Sequence, residues 1–216
     1  MAWMLMPGQT WFAAGLSFLI MWTVMMVAMM LPSLVAMLSR YRQAVVRSND
    51  MRLGRLTALV GAGYFFVWTL FGIAVFPLGA ALATTEMQQP AVARTVPIAV
   101  GIIVLFGGIL QLTRWKARHL NCCRESPGTG HTLPADAGTA WRHGLRLGLH
   151  CGRCCAGLIF ILLVIGVMDL RAMTMVAAAI TLERLAPSGE SVARAIGAVI
   201  VGIGLFLIVR AAWFQI

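Results

Sequence analysis

Five long apolar stretches constrain the fold of this chain more than any other feature of its sequence. Each has about the 20 helical residues that are needed to cross the ~30 Å hydrocarbon core of a bilayer. Because no water is available there, a helix is the structure that satisfies every backbone amide within one segment. The stretches occupy residues 11–38, 57–82, 96–113, 145–170 and 192–214, and a shorter apolar run occupies 172–185. The sequence therefore predicts an all-α, polytopic transmembrane helical bundle of about six spans, with five as the alternative, in a single integral membrane domain at 1–216.

Positive charge lies between the apolar stretches. The formal net charge is +10, although only 11% of the residues are charged, against about a quarter in soluble domains. Most of the Lys and Arg residues form two clusters: Arg40, Arg42, Arg47, Arg52 and Arg55, then Arg114, Lys116, Arg118, Arg124, Arg142 and Arg146. The positive-inside rule predicts that both clusters, including a loop at 114–146, are cytoplasmic and that the N-terminus lies outside. No aromatic–basic recognition module accompanies the charge, so the expected partner is the lipid bilayer and not nucleic acid.

A further expectation depends on the short run at 172–185. If it spans the bilayer, the charged residues at its end and just after it face the cytoplasm: Glu183, Arg184, Glu190 and Arg194. We therefore favour a short span there over a half-inserted segment.

All five cysteines belong to two clusters with one spacing. The clusters are His119, Cys122 and Cys123, then His150, Cys151, Cys154 and Cys155. Each contains a ligand-type residue followed at i+3 and i+4 by two cysteines, and these positions share one face of a helix. Thiolates favour a soft or borderline metal such as Cu(I), Zn(II) or an iron–sulfur centre. If both clusters form one site, their sulfurs should converge to within roughly 4–7 Å, which suits ligands of one tetrahedral ion.

A simpler interpretation is that the cysteines are small hydrophobic residues of membrane helices. That interpretation is adequate for one cysteine, but it explains less well why all five lie in two matched clusters beside histidines. Because both clusters fall on the predicted cytoplasmic side, where thiols are kept reduced, structural disulfides are not expected.

Methionines crowd one side of the first apolar stretch. At 100° per residue, one contiguous half of a helix carries Met21, Met25, Met26, Met29 and Met30. We call this set the methionine face. Thioethers are soft, neutral ligands that select Cu(I), and they place no formal anion in the membrane. The alternative is that the methionines only fill a helix–helix interface, since Met is an adaptable packing residue.

Four segments together resemble the DUF2182 family of bacterial integral membrane proteins with predicted metal binding. The segments run from Met21 to Pro32, from Cys151 to Cys155, from Gly166 to Leu170 and from Glu183 to Pro187. The chain departs from the family where His119 replaces a usual Cys and Ala156 replaces a usual aromatic residue. The resemblance implies metal binding in a multi-pass protein of the bacterial inner (cytoplasmic) membrane, without an established reaction.

These features predict a metal-handling membrane protein that transports or delivers Cu(I), with zinc as the alternative metal. The methionine face would receive the ion from outside, and the two Cys/His clusters would hold it inside. Another membrane protein or a metallochaperone is the expected protein partner. No P-loop and no Ser/His/Asp set is visible, so we do not expect an enzyme of those classes.

Two other functions remain open. The first is a membrane thiol redox protein that uses Cys151 and Cys154 as a C-x-x-C pair at a helix start, where the helix dipole and Arg153 would favour the thiolate. The second is a non-catalytic complex assembly subunit in which a structural zinc site joins two loops.

Overall fold

A computed structural model describes residues 10–45, 50–124, 136–167 and 169–213, without the side chains at 44, 50–51, 90–94 and 121–124. This part of the chain consists of helices and short connections. The helices are α1 (Trp11–Ala44), α2 (Asp50–Gln88), α3 (Pro90–Leu112), α4 (Arg114–Arg124), α5 (Ala137–Ile165), α6 (Leu170–Leu185) and α7 (Gly189–Trp213). The predicted all-α fold class is confirmed.

Five of these helices, α1, α2, α3, α5 and α7, are long and apolar enough to cross a membrane. Helix α6 has 16 residues, or ~24 Å at 1.5 Å per residue, and falls short of the other five. The described residues thus contain five helices that could span a membrane. This is the alternative count and not the six spans that the sequence favours. The architecture is that of a multi-pass membrane protein.

The helices extend well into the polar segments between the apolar stretches. Only residues 45–49 separate α1 from α2, and Gln89 alone separates α2 from α3. The segment 114–146 contains all of α4 and the start of α5, whose N-cap Asp136 accepts a hydrogen bond from the backbone N–H of Thr139 at 2.9 Å. Arg, Lys, Leu and Gln are good helix formers, so a helix need not end where the hydrocarbon does. The cytoplasmic location of these segments stays a prediction.

Helices α2 and α5 approach each other closely because glycines line the α5 side of their contact. A methyl group on Gly144 would overlap the backbone oxygen of Val60, and one on Gly148 would lie 3.0 Å from the backbone oxygen of Tyr64. Small residues at such positions allow two helix backbones to approach closely in a membrane. The contact places Tyr64 of α2 beside the α5 segment that contains Cys151.

Candidate metal site

The methionine face lies inside the bundle. Met25, Met26, Met29 and Met30 are buried, and Met21 is partly buried against the same core. The opposite side of α1 is exposed, with Val24 at 65% and Leu31 at 47%. Trp22 fixes this orientation, because its indole Nε1 donates a hydrogen bond to the backbone oxygen of Trp68 on α2 at 2.8 Å.

Three cysteines of α5 belong to the same buried core as the methionine face. Cys151, Cys154 and Cys155 are each at most 2% exposed. Their spacing places them on one side of α5, as predicted, whereas Arg153 is exposed. The expectation of a C-x-x-C pair at a helix start is wrong. Because α5 begins at Ala137, Cys151 lies about four turns inside the helix, beyond the reach of the terminal dipole.

The cation that does contact the thiols is Arg184, at the end of α6. Its Nη2 donates to the Sγ atoms of Cys151 at 2.9 Å and Cys155 at 3.2 Å, while its Nη1 donates to Ser33 Oγ at 3.2 Å. The Tyr64 hydroxyl lies 2.8 Å from the Cys151 sulfur on the α2 side. Two thiols, a guanidinium and two hydroxyls therefore form one polar cluster inside an apolar bundle.

A buried ion pair adjoins this cluster. Lys116 Nζ on α4 lies 2.7 Å from Glu183 Oε2 and donates to the backbone oxygen of Cys154 at 2.7 Å. Gln111 Nε2 on α3 donates to Glu183 Oε1 at 2.6 Å. These contacts connect α3, α4, α5 and α6 around the thiols. Burial alone would disfavour the ammonium, but Cys154 and Glu183 raise the pKa of Lys116, so it stays charged.

The expectation that Glu183 and Arg184 face the cytoplasm is wrong, since their side chains are only 1% and 6% exposed. Their place at the end of a short apolar run favours a surface position, because a charge on its own is most stable in water. Two charged residues at the end of such a run nevertheless indicate a candidate site, because ionisable residues within a membrane protein interior commonly belong to functional sites. These two residues, with Lys116 and Tyr64, are the ones that sequence reasoning missed.

The histidines of the two predicted clusters approach each other where α4 packs on α5. The ring centroids of His119 and His150 are 6.4 Å apart, and the Trp115 ring lies 4.5 Å from His119. Partial burial lowers the pKa of His119, with Arg153 and His150 contributing, so the neutral, ligand-competent imidazole is favoured.

The side chains of Cys122 and Cys123 lie outside the described residues, so the convergence of the two thiol clusters stays a prediction. Among the side chains that are described, no three of His, Cys, Asp or Glu form a group that could hold a metal ion. The described part of the site thus offers three buried thiols, with the thioethers of the methionine face in the same core, and no closed tetrahedral set.

A family model described as a copper chaperone (PpoB2) matches residues 19–207, which include the methionine face and all five cysteines. The chain belongs to this copper chaperone family. Its function is therefore related to copper, as the sequence predicted. No curated protein and no solved structure matches the chain. The metal binding that the resemblance to the DUF2182 family implies agrees with copper handling. Membership of the DUF2182 family itself stays a prediction.

Proposed function

We propose that this copper chaperone family member binds Cu(I) inside the membrane, at two of the three α5 thiols of Cys151, Cys154 and Cys155, and delivers it to a partner protein. The observation that carries the proposal is the single buried core that contains these thiols and the methionine face. Packing alone would not require soft ligand atoms from two helices to meet in one core.

The donor set fits Cu(I) better than Zn(II). Thiolates and thioethers select Cu(I) among biological cations, and Cu(I) accepts a small number of ligands. A structural zinc site needs four closed ligands, for which the described residues do not supply even three convergent ones. A pair of α5 thiols, in a core that also contains the α1 thioethers, therefore suits Cu(I) better than Zn(II).

The methionine face offers a path to the thiols. From Met21 to Met30 it extends ~14 Å along α1, at 1.5 Å per residue. Its inner end is connected to the cysteines, because the Ser33 hydroxyl donates to the backbone oxygen of Met30 at 3.0 Å and accepts from Arg184, which contacts Cys151 and Cys155. We infer that the ion passes along the thioethers, which add no charge to the core, before the thiols receive it.

Delivery needs an exit, and we assign that role to the end of α4. His119 and His150 lie close together there and are partly exposed, and Cys122 and Cys123 follow on the same helix. A metallochaperone or a second membrane protein could take the ion from these residues by ligand exchange. With the N-terminus outside, this end would face the cytoplasm.

The decisive experiment measures Cu(I) affinity of the purified protein in lipid nanodiscs by competition with a chromophoric Cu(I) chelator. The wild type should bind Cu(I), and Cys151→Ser with Cys155→Ser should weaken binding more than about 100-fold, beyond the range of an outer-shell change. Ala140→Ser serves as the matched control, because it adds a buried hydroxyl to the same helix about three turns away. A wild-type protein without Cu(I) affinity, or a double variant that keeps it, would refute the proposal.

A further inference from the structure

The buried charges of the described residues do not balance. Three charged side chains are buried there: Lys116, Glu183 and Arg184. Lys116 and Glu183 pair with each other at 2.7 Å. No described carboxylate pairs with Arg184, whose contacts are the sulfurs of Cys151 and Cys155 and the hydroxyl of Ser33. The cluster thus contains one more cation than it has fixed anions.

An unbalanced guanidinium in a membrane protein interior is costly, because little solvent is available to stabilise it. The Nε atom of Arg184 also finds no hydrogen-bond partner among the described residues. Groups that can supply the missing negative charge are the two thiols that already accept hydrogen bonds from Nη2. The charge of whatever complex forms on these thiols therefore decides whether the cluster is neutral.

Cu(I) and Zn(II) differ in that charge. A Cu(I) ion held by two thiolates forms a complex with one net negative charge, which neutralises Arg184. A Zn(II) ion held by the same two thiolates forms a neutral complex, which leaves the guanidinium unbalanced. Softness favours both metals on sulfur to some degree, but only the monovalent ion also satisfies the charge.

We propose that Arg184 is a specificity-determining residue of the thiol site: it is the built-in counter-ion of a monovalent metal bis-thiolate on Cys151 and Cys155, and it selects against divalent ions. The inference rests on the proposed function and deepens it. It also separates the roles of the three cysteines. A Cu(I) ion with two thiolates has one negative charge, which balances Arg184, whereas a third thiolate would give the cluster a net negative charge.

The geometry suits this role. One nitrogen of Arg184 contacts both sulfurs, so the guanidinium can stay hydrogen-bonded to the two ligands of one ion. The other terminal nitrogen is held by Ser33 on α1, which fixes the plane of the group. A lysine would supply the charge as a compact point charge without this planar fork.

The test compares Cu(I) and Zn(II) affinities of the wild type, Arg184→Gln and Arg184→Lys in nanodiscs at one pH. Arg184→Gln should weaken Cu(I) binding at least about tenfold while Zn(II) binding stays equal or tightens, and Arg184→Lys should keep most of the preference because it keeps the charge. The control is Arg194→Gln, which removes the charge of an exposed arginine on α7, away from the thiols, and should keep the preference. An unchanged Cu(I)/Zn(II) ratio in Arg184→Gln would overturn the inference.

A second measurement needs only the wild type, and so does not depend on whether the variants fold. Ag(I) and Cd(II) both bind sulfur well but differ in charge. Ag(I) should displace Cu(I) from the site, and Cd(II) should not. Equal displacement by Cd(II) would overturn the charge argument while leaving Cu(I) delivery intact, whereas a wild type that binds neither Cu(I) nor Ag(I) would refute the proposed function and the inference together.

Discussion

The α3–α7 pair and the group formed by α1, α2, α5 and α6 bring helices together in the same way but bury different chemistry. In the pair, a methyl group on Gly204 of α7 would come within 2.6 Å of the backbone nitrogen of Leu105, and one on Gly101 of α3 within 2.7 Å of the Ile208 side chain. Gly144 and Gly148 of α5 make the corresponding close contacts with α2. Close approach of two helix backbones at glycines thus occurs in both regions and does not by itself indicate a functional site.

The difference lies in what the close approach encloses. The buried residues of α7 are all small: Gly189, Ala193, Gly197, Gly204 and Ala211. The other group encloses three thiols, a guanidinium and the methionine face. Burying charge and unpaired polar groups in a membrane protein opposes stability, so packing does not account for their presence. The α3–α7 contact therefore consists of small residues, whereas the other group encloses the soft and charged side chains of the proposed copper site.

The largest effect on stability should follow from Glu183→Ala. It removes the partner of Lys116 and leaves two buried cations, and breaking a buried pair in this way typically costs about 3–5 kcal/mol. Glu190→Ala is the matched control, because the exposed Glu190–Arg194 pair of α7 should contribute only about 0.3–0.5 kcal/mol. Unfolding midpoints of the purified variants measure both, and equal shifts would remove the distinction between the two regions.

Glycine substitutions in the two regions should have intermediate effects on stability. Gly204→Ala and Gly144→Ala should each cost about 1–3 kcal/mol by overpacking, because the added methyl group meets backbone atoms. Gly202→Ala, whose methyl group would meet nothing within 4 Å, should instead stabilise α7 by up to about 1 kcal/mol.

Cu(I) affinity separates the two destabilising glycine variants. Gly144→Ala should weaken binding, because it shifts α2 and with it the Tyr64 contact to Cys151. Gly204→Ala should leave the affinity unchanged. If both variants bind Cu(I) equally well, the α2–α5 contact does not position the site.

Among the substitutions that should impair copper handling, Met25→Leu with Met29→Leu in the methionine face should cost the least stability. Leucine keeps volume and apolarity, and such swaps in packed interiors usually cost less than about 1.5 kcal/mol. Copper accumulation in cells should nevertheless fall at equal expression, since leucine offers no thioether. Met175→Leu, at a position that is 73% exposed, should change neither quantity. Unchanged accumulation in the double variant would leave the methionine face as a packing surface.

The sequence alone specifies the spanning helices of this bundle and the side of α1 that is buried. Apolar length specified the spanning helices, because hydrocarbon permits little else, and the 3.6-residue period placed Met25, Met26, Met29 and Met30 on one side of α1, the side that the structure buries. The same period placed three cysteines on one side of α5. These are local properties, which neighbouring residues decide.

The residues that contact the thiols depend on how the helices pack together. Arg184 follows Cys151 by 33 positions and Cys155 by 29, and no local pattern indicates that α6 brings it onto them. From the sequence, water is the expected surrounding of Glu183 and Arg184, because a charge is most stable there on its own. In the folded bundle Lys116 neutralises Glu183, while the thiols and Ser33 receive the hydrogen bonds of Arg184. These partners come from α1, α4 and α5. Each buried charge is tolerated only when its partners on the other helices are in place. The burial of these charges is therefore a property of the assembled helices.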